Sequence, residues 1–450
     1  MKIRLFKYLI PGMAVVLMTG ACSGNGANGV NGNAASGSSG PNSQSPAGKE
    51  VKISFWHIYN TGPMKELYDK LIDEFEEAHP NIKVDHAGYG IFDLGDKLAT
   101  ALAGGTGPDL AMDGIDGGQL KIKAGTIVNL QPYIERDGVD TNQYFPLLID
   151  IMKQEGNGDL YRLPLETDVR VLFYNKEAFR EVGLDPEKPP TTWEELESYS
   201  DKLTKWNDKT KLLDRIGFAP NLGNFWYWTL AWTNGVDFFD DQGNPTLDTP
   251  ENIEAAEWWV KMQNKYGTKA FSAFQSQSGS LGFDPFVGGK VAMEVSTNNL
   301  VSEIKANQPD LEYGIAPIPI KKNNATWSAG FSLEIVNNKD QAKADAAWEL
   351  LKFLTSTEIQ KRHHIAGNAL VGNRLAATDP EFMKDPDWKT VTDQMQFTRF
   401  LETPIEAQGW GGQMWKNVQA AVAGSMTPEQ AIKTSQKETE DLIANYKKTS

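Results

Sequence analysis

Alternating strand and helix patterns are the feature of this 450-residue chain that most restricts its fold. Residues 51–56 (VKISFW) alternate in polarity as a half-buried strand does. A helical spacing of apolar residues follows over 64–75, a second strand pattern covers 81–88, a second helix pattern covers 94–102, and a third strand pattern is DLAMD at 109–113. This βαβαβ order predicts a largely parallel sheet with helices on both faces.

The alternation continues to the end of the chain. LPLETDVRVLFYN at 163–175 is predicted to form one strand, and a capping box at Thr192 and Glu195 predicts the start of a helix. Further strand patterns cover 291–295, 313–320 and 332–337. Elements that alternate over so long a chain fit two α/β lobes better than one sheet.

The only cysteine, Cys22, follows an export signal. Three basic residues precede an apolar run at 8–18, which is too short to span a bilayer, and small residues at 19–21 come next. The segment resembles the signal of bacterial lipoproteins, in which the cysteine thiol takes a diacylglycerol. The resemblance implies a signal peptide at 1–21 and lipidation of Cys22. The alternative is an ordinary secretory signal followed by an unmodified thiol.

Residues 22–50 are rich in Gly, Ser, Asn and Ala, so we expect a flexible tether. No later stretch approaches the roughly 20 apolar residues of a membrane span. The expected location is the extracellular face of the cytoplasmic membrane, held by the lipid alone, in a single-membrane bacterium.

The chain is strongly acidic. Removal of 1–21, which carries three basic residues and no acidic one, changes the net charge from −15 to −18. Such a charge repels phosphate backbones and anionic lipid surfaces, which argues against nucleic acid as a partner. Because lipidation of Cys22 leaves no disulfide, stability must come from apolar cores, which a chain of this length can build.

Eight fragments of the ordered part occur in a characteristic order. They are ISFWHIYN, FEEAHPNIKV, ALAGGTGPDL, LPLETDVRVLFYNKEAF, PPTTWEEL, GGKVAMEV, YGIAPIPI and ADAAWELLKFLTSTEIQ. From Val51 to the C-terminus the chain resembles the extracellular solute-binding proteins of ABC importers, the group that includes maltose-binding protein. The resemblance implies a two-lobed α/β fold of the type II periplasmic-binding-protein class, each lobe a mostly parallel sheet flanked by helices.

The resemblance also implies where the lobes divide. Lobe 1 would comprise 51–167 plus 319–367, and lobe 2 would comprise 168–318 plus 368–450. The crossings between the lobes would lie near 166–168, 318–319 and 367–373.

The implied function is capture of a solute between the lobes and delivery to an ABC permease. The 13 Trp, 20 Phe and 13 Tyr residues favour a carbohydrate, in particular an oligosaccharide. Flat rings stack on the C–H faces of sugars, and carboxylate, amide and guanidinium groups bind their hydroxyls. We expect a monomer without enzymatic activity, cofactor or metal.

Ligands in α/β folds bind beyond the carboxyl ends of strands and between domains. The polar and aromatic candidates near such strand ends are Trp56, His57, Tyr59, Asn60, Asp113, Asp116, Glu166, Asp168, Arg170 and Asn298. The aromatic platform candidates are Trp226, Tyr227, Trp327, Trp410 and Trp415. Gly330 lies in a small-residue loop where backbone amides can approach a ligand. The resemblance places Asp168 at a cleft carboxylate.

Each candidate has a structural alternative. The aromatic residues can pack in cores, as we expect of Trp193, Trp258, Trp259 and Trp348 inside amphipathic helices. Asp168 or Glu166 can form an internal ion pair with Arg170, and the aspartates at 113 and 116 can form Asx turns.

Other functions remain open at this stage. A glycoside hydrolase uses similar carboxylates and aromatic rings. A polysaccharide-capture protein would bind without lobe closure, and the ligand can instead be another polar solute, such as a polyol, a glycerol phosphodiester or a spermidine-like cation. The chain has no H-E-x-x-H, G-x-S-x-G or Walker A motif, which argues against metalloprotease, acyl-transfer and ATP chemistry.

Overall fold

The computed structural model describes residues 49–449. The predicted signal peptide at 1–21, Cys22 and nearly all of the predicted tether lie outside the described residues. Over residues 49–449, no helix combines the length and the apolar character that crossing a membrane requires.

Strands and helices alternate along the described chain. The strands are β1 (Val51–His57), β2 (Ile82–Gly88), β3 (Leu110–Gly114), β4 (Arg162–Thr167), β5 (Arg170–Asn175), β6 (Lys205–Trp206), β7 (Leu213–Arg215), β8 (Met293–Thr297), β9 (Tyr313–Ala316), β10 (Thr326–Trp327), β11 (Gly330–Ile335), β12 (Leu370–Val371) and β13 (Thr398–Arg399). The helices are α1 (Gly62–Ala78), α2 (Ile91–Gly104), α3 (Gly118–Ala124), α4 (Gln131–Asp137), α5 (Pro146–Glu155), α6 (Lys176–Glu181), α7 (Trp193–Leu203), α8 (Tyr227–Thr233), α9 (Pro250–Asn264), α10 (Thr268–Ser278), α11 (Leu300–Asn307), α12 (Gln341–Thr355), α13 (Thr357–Gly367), α14 (Arg374–Ala377), α15 (Pro386–Gln394), α16 (Trp410–Val422) and α17 (Pro428–Thr449). The first five elements are those that the side-chain periodicity predicts.

Local sequence accounts for the start of helix α7 as well. Thr192 is its N-cap, and the Thr192 hydroxyl accepts a hydrogen bond from the Glu195 N–H (3.1 Å). The Glu195 carboxylate accepts from the N–H of Thr191 (2.7 Å), one residue before the position of an ideal capping box. The predicted helix start is therefore confirmed.

The larger sheet has six strands in the order β12-β4-β11-β3-β1-β2. Strand β1 pairs in parallel with β2 and β3, whereas β11 is antiparallel to both β3 and β4, and β12 is antiparallel to β4. Strands β1 to β4 therefore point in one direction, as predicted, and β11 and β12 run against them. The carboxyl ends of β1, β3 and β4 meet at one edge. We call this sheet and the helices packed on it lobe 1.

The smaller sheet has three strands in the order β8-β5-β9, and β5 runs antiparallel to both neighbours. The expectation of a mostly parallel sheet in each lobe is wrong here. Strands β8 and β9 run in the same direction and are joined by helix α11, but β5 lies between them in the opposite direction, so both ladders of this sheet are antiparallel. We call this sheet and its helices lobe 2.

The chain passes from lobe 1 to lobe 2 between β4 and β5. The predicted single strand at 163–175 is divided there by Asp168 and Val169. The Asp168 N–H donates to the carbonyl oxygen of Ala329 (3.2 Å), and the Val169 N–H donates to Oδ1 of Asn298 (3.1 Å). Neither bond belongs to the strand pairing of either sheet. The strand is therefore interrupted at Asp168 and Val169.

The return to lobe 1 lies at Ser328 and Ala329, between β10 and β11. Residues 320–323 still contact lobe 2, because Ile320 forms a bridge with Thr192 and the N–H groups of 321–323 donate to the carbonyl oxygen of Thr233. The crossing therefore comes later than the predicted 318–319.

The last crossing also comes later than predicted. Strand β12, inside the predicted crossing at 367–373, still pairs with β4 of lobe 1. Helix α15 packs against β9 of lobe 2. The chain therefore changes lobe between α14 and α15.

The tryptophans assigned to cores by helical spacing are buried. Trp193, Trp258, Trp259 and Trp348 are all more than nine-tenths buried. In lobe 2 the rings of Trp193 and Trp258 pack with centroids 5.2 Å apart. These four core predictions are confirmed.

Candidate functional site

A buried ion pair lies at the crossing from lobe 1 to lobe 2. Arg170, at the start of β5, is 3% exposed, and its Nη1 donates to Oδ1 of Asp168. The internal Asp168–Arg170 pair that the sequence left open is thus present. Burial lowers the pKa of the Arg170 guanidinium, and the Asp168 carboxylate opposes that change.

Asp168 also anchors the returning chain. Its Oδ1 accepts the N–H of Ala329 (2.8 Å) in addition to the Arg170 bond. Both bonds reach Oδ1, and within residues 49–449 the other oxygen, Oδ2, receives no hydrogen bond. A carboxylate held in this way keeps acceptor capacity for a ligand hydroxyl.

Asn224 joins the ion pair to an aromatic surface. Its Oδ1 accepts from Nε and Nη2 of Arg170 (3.1 Å each) and from the indole Nε1 of Trp226 (3.1 Å). The Asn224 backbone N–H donates to the carbonyl oxygen of Val295 on β8. The amide therefore fixes the Trp226 ring relative to the smaller sheet.

Four tryptophan rings from three segments, the start of α8, strand β10 and helix α16, form one cluster, which we call the tryptophan cluster: Trp226, Trp228, Trp327 and Trp415. Trp226 and Trp228 stack with centroids 4.8 Å apart, and Trp226 lies 5.3 Å from Trp415. Trp327 meets Trp228 edge-on at 5.1 Å. Trp226, Trp327 and Trp415 are partly exposed, so the cluster offers ring surface to a ligand.

Two indole donors in the cluster are unused. Nε1 of Trp228 and Nε1 of Trp327 have no acceptor among the described residues, although both atoms are buried. A buried indole N–H normally finds a partner. Trp228 is 6% exposed, and its ring stacks directly on that of Trp226, a candidate platform.

Asp116 adds a second carboxylate from lobe 1. It follows β3 at the edge where the carboxyl ends of the parallel strands meet. Burial raises its pKa, and the nearby carboxylates of Asp113 and Asp168 raise it further. Asp116 and Asp168 are therefore close enough to interact electrostatically, although they come from different elements.

A cavity of about 670 Å³ lies beside these residues. Its walls come from α3 and α5 of lobe 1 and from the segments 239–243 and 398–404 of lobe 2. Strand β13 pairs with β10, so the cavity wall at Arg399 neighbours Trp327. Glu155 in the wall accepts from the N–H of Gly117 (3.0 Å), next to Asp116. The wall at Arg399 is thus adjacent to Trp327 of the tryptophan cluster, and the wall at Glu155 is adjacent to the loop that carries Asp116.

Sequence reasoning missed two polar residues of this cavity, Arg399 and Glu402. Nη2 of Arg399 donates to Asp237 (2.7 Å) and to Glu402 (3.4 Å). Burial raises the pKa of Glu402, whose Oε2 has no hydrogen-bond partner among the described residues. The only sequence signal was a pair of opposite charges three residues apart in TRFLETP, which is too common to single out.

Three predicted site residues lie instead in an internal network of lobe 1. The Tyr59 hydroxyl donates to the carboxylate of Glu166 (3.0 Å), which also contacts Nε2 of His363 (2.9 Å). His57 is 1% exposed, its Nδ1 accepts the Tyr59 N–H, and its Nε2 pairs with His86. Burial lowers the pKa of His57 to about 3. The structure does not bring His57, Tyr59 or Glu166 into the candidate site.

Trp56 and Asn60 also lie elsewhere, whereas Asp113 lies near Asp116. Trp56 packs within lobe 1 against Tyr89, with ring centroids 5.4 Å apart, and Asn60 is exposed. Asp113 forms an ion pair with Lys121. A ligand role for these three residues stays a prediction, because a strand end shows where the chain leaves a sheet but not what surrounds each side chain.

Tyr227, Asn298 and Trp410 are structural. Tyr227 is fully buried and its hydroxyl donates to Asn252. Asn298 is 1% exposed and holds Val169 at the crossing. Trp410, 2% exposed, packs between Phe238 and Phe239, and its Nε1 donates to the carbonyl oxygen of Glu402 (2.7 Å). None of the three presents a surface to the site.

Gly330 allows the backbone conformation of the segment that crosses between the lobes. Its φ is +141°, and a Cβ there would lie 2.3 Å from the carbonyl oxygen of Glu166. Its own carbonyl oxygen accepts the N–H of Ile115 (3.0 Å). Glycine is therefore required where β4, β11 and the end of β3 meet.

Of the predicted residues, the structure brings together Asp116, Asp168, Arg170, Trp226, Trp327 and Trp415. Rings, carboxylates and amide groups in this arrangement suit the stacking and hydrogen bonding of a polyhydroxylated molecule. The described side chains hold no serine or cysteine nucleophile beside a base at this site.

Comparison with known proteins agrees with this architecture. The family model of bacterial extracellular solute-binding proteins matches residues 61–361. The sn-glycerol-3-phosphate-binding periplasmic protein UgpB of Salmonella typhimurium is 24% identical over 422 residues, which cover 88% of this chain and 94% of the relative. UgpB of Shigella flexneri serotype 5b is 24% identical over 421 residues, which cover 88% and 93%.

Solved structures show the same fold. CpMnBP1 with mannotriose bound is 28% identical, with a TM-score of 0.75, over 87% of this chain and all of the other. Maltose-bound MalE3 of T. maritima is 21% identical, with a TM-score of 0.72, over 87% and 99%. The predicted two-lobed α/β fold of the type II class is confirmed. The family and these neighbours are binding proteins rather than enzymes. The chain belongs to the family of bacterial extracellular solute-binding proteins.

Proposed function

We propose that this chain is the lipid-anchored substrate-binding component of an ABC importer and that it captures an oligosaccharide between its lobes. The observation that carries the proposal is the tryptophan cluster beside the Asp168–Arg170 pair, with Trp327 paired in register with Arg399 in the wall of a cavity of about 670 Å³. That volume falls within the about 300–1,000 Å³ of small-molecule sites.

The chemistry of these walls suits a sugar. Partly exposed rings of Trp226, Trp327 and Trp415 can stack on C–H faces, while Asp116 and Asp168 can accept hydroxyl protons. The unused indole N–H of Trp327 can donate to a hydroxyl. The mannotriose-bound and maltose-bound neighbours support the same class of ligand for this chain.

The proposed mechanism is closure of the two lobes around the ligand. We place lobe 1 at 51–167 plus 330–377 and lobe 2 at 168–329 plus 378–449. A ligand that contacts Asp116 in lobe 1 and Trp226 in lobe 2 has a higher affinity for the closed form and shifts the population toward it. The closed form then delivers the ligand to the permease.

Cys22 would hold the receptor at the extracellular face of the cytoplasmic membrane. The export signal before it and the glycine-rich segment after it support this proposal. Mass spectrometry of the membrane-extracted chain should show a diacylglyceryl adduct that Cys22→Ser removes. An unmodified, secreted chain with the same N-terminus would contradict the anchor.

The relatives raise a second candidate ligand, sn-glycerol 3-phosphate, because UgpB is named for binding it. This candidate differs from an oligosaccharide in size and charge. A direct competition between the two ligand classes therefore decides between them.

Isothermal titration calorimetry of the purified chain tests the proposal. The panel comprises mannotriose, maltotriose, cellotriose and sn-glycerol 3-phosphate, with a reducing-end assay of each saccharide incubation. We expect binding of at least one saccharide without new reducing ends, and loss of that binding in Trp327→Ala. Binding of glycerol phosphate alone, or steady production of reducing ends, would reject an oligosaccharide receptor.

A further inference from the structure

The cavity beside the tryptophan cluster has an unbalanced charge. Of the described residues that line it, five carry a carboxyl group: Asp150, Glu155, Asp240, Asp241 and Glu402. Among the same lining residues, Arg399 is the one basic side chain. A concave surface with this composition concentrates negative potential where the ligand would lie.

The positive charge of Arg399 does not cancel this negative potential for a ligand, because carboxylates already bind its guanidinium group. Its Nη2 already donates to Asp237 (2.7 Å) and to Glu402 (3.4 Å), and its Nη1 donates to the carbonyl oxygen of Val236 (3.4 Å). Its guanidinium carbon also lies 5.0 Å from the centroid of the Trp232 ring. An anion would have to replace carboxylate partners to reach this group.

The other basic side chains near the site are also paired with carboxylates. Arg170 pairs with Asp168, and buried Arg162 pairs with Glu155. Lys121 on α3 contacts both Asp113 and the fully buried Glu334. Strong recognition of a phosphate or carboxylate uses a free guanidinium or ammonium group, and none of these three has one to offer.

Several carboxylates, by contrast, lack a cationic partner. Asp150, Asp240 and Asp241 line the cavity and form no ion pair with another described residue. Asp150 lies on α5 of lobe 1 and Asp241 lies in the segment 239–243 of lobe 2, so each lobe contributes an unpaired carboxylate to the cavity wall. A ligand that bridges the walls therefore meets negative charge from both sides.

We infer that this cleft selects its saccharide by charge: it binds neutral sugars and sugars that carry an amino group, and it rejects uronates and phosphate esters. The inference rests on the proposed function and narrows its ligand class. Coulomb's law at about 8 Å in a solvent-like dielectric gives about a twofold loss of affinity for each pair of a carboxylate and a ligand anion. Three unpaired carboxylates thus predict a loss of about tenfold.

Ligands of the same linkage and different charge separate the effect of charge on affinity from the effect of shape. The β-1,4-linked mannose trimer is compared with the β-1,4-linked mannuronate trimer, and the β-1,4-linked glucose trimer with its glucuronate and glucosamine counterparts. Each set keeps the linkage and changes only the charged substituent. We titrate the purified full chain by calorimetry in 50 mM and 500 mM NaCl, with sn-glycerol 3-phosphate as a further anion.

We expect each uronate to bind at least about tenfold more weakly than its neutral partner, with a smaller difference in 500 mM NaCl because salt screens the repulsion. The glucosamine trimer should bind at least as tightly as the glucose trimer. In the double variant Asp150→Asn with Asp241→Asn, the ratio of neutral-trimer affinity to uronate affinity should fall about fourfold. Asp208→Asn, an exposed aspartate in the turn after β6, is the control and should not change this ratio.

The outcomes separate the two proposals. Neutral and uronate trimers of equal affinity would overturn charge selection and leave the oligosaccharide receptor intact. Tighter binding of a uronate or of glycerol phosphate would overturn charge selection as well. Absence of binding by every saccharide in the panel would reject the proposed function and, with it, this inference.

Discussion

The guanidinium carbon of Arg170 lies 3.8 Å from the centroid of the Trp327 indole ring. Arg170 begins β5, and Trp327 ends β10, which directly precedes the return to lobe 1. The contact therefore joins two of the segments that cross between the lobes. A ligand that stacks on Trp327 would act on the crossing through this contact.

Trp327→Ala should weaken oligosaccharide binding by at least about tenfold. The change removes a ring platform, and aromatic contacts contribute about 0.5–1.5 kcal/mol beyond the apolar area that they bury. Calorimetry with the saccharide identified in the panel provides the measurement. Trp206→Ala is the matched control, because Trp206 is 47% exposed on β6 and should not affect affinity. Equal affinities of the two variants would remove Trp327 from the site.

Asp168→Asn should destabilise the fold as well as weaken binding. Arg170 is 3% exposed, and loss of its carboxylate partner leaves a buried guanidinium unpaired. Breaking a buried pair costs about 3–5 kcal/mol, and we expect the lower end because Asp168 itself is 16% exposed. Urea unfolding at pH 7 measures the change, with Asp208→Asn as the control. An unchanged free energy of unfolding would show that the pair contributes nothing to stability.

Trp410→Ala should lower the free energy of unfolding by about 3–5 kcal/mol, because the ring is buried between Phe238 and Phe239. Sequence reasoning placed Trp410 in the ligand site, where its loss would affect binding and leave stability unchanged. Thermal unfolding without ligand distinguishes these roles. A variant with normal unfolding but weakened saccharide affinity would return Trp410 to the site.

Glu294→Gln should stabilise the protein at neutral pH. Glu294 on β8 is 1% exposed, and burial raises its pKa well above 4.5, assisted by the nearby Asp284 carboxylate. The folded state holds this proton more tightly than the unfolded state. Its stabilising contribution is thus complete below pH 4.5 and declines as pH rises toward the raised pKa, by up to about 1.4 kcal/mol per pH unit.

Urea unfolding between pH 4.5 and 8 measures this effect. The glutamine variant should lose the decline assigned to Glu294 and should exceed the parent at pH 8 by about 1–3 kcal/mol. Glu77→Gln, at an exposed position of α1, controls for net charge and should follow the parent curve. Parallel curves for the parent and Glu294→Gln would contradict a buried, protonated carboxyl group.

Local periodicity predicted the elements that depend on local side chains. The order from β1 to β3 and the α7 N-cap at Thr192 follow from residues close in sequence. The break at Asp168 did not, because Ala329 and Asn298 hold it from more than a hundred residues away. Hydrogen bonds of this range leave no trace in a hydrophobic pattern.

Only part of the candidate site could be predicted, again because some of its contacts join residues that lie far apart in the sequence. Asp168 and Trp327 lie at strand ends, and Trp226 lies in the aromatic run FWYW at 225–228, so the sequence indicated all three. Trp410 lies at the start of a helix, where we expected an aromatic platform for the ligand. Packing against Phe238 buries its ring instead. Arg399 was missed because β13 has only two residues, which is too short for a periodic signal.

A crystal structure of the chain with its saccharide tests the central claim most directly. We predict that sugar rings stack on Trp226, Trp327 or Trp415, that a hydroxyl lies within hydrogen-bond distance of Asp168, and that the ligand extends into the cavity lined by Arg399 and Glu402. A saccharide bound away from the tryptophan cluster, with contacts to one lobe only, would contradict the account.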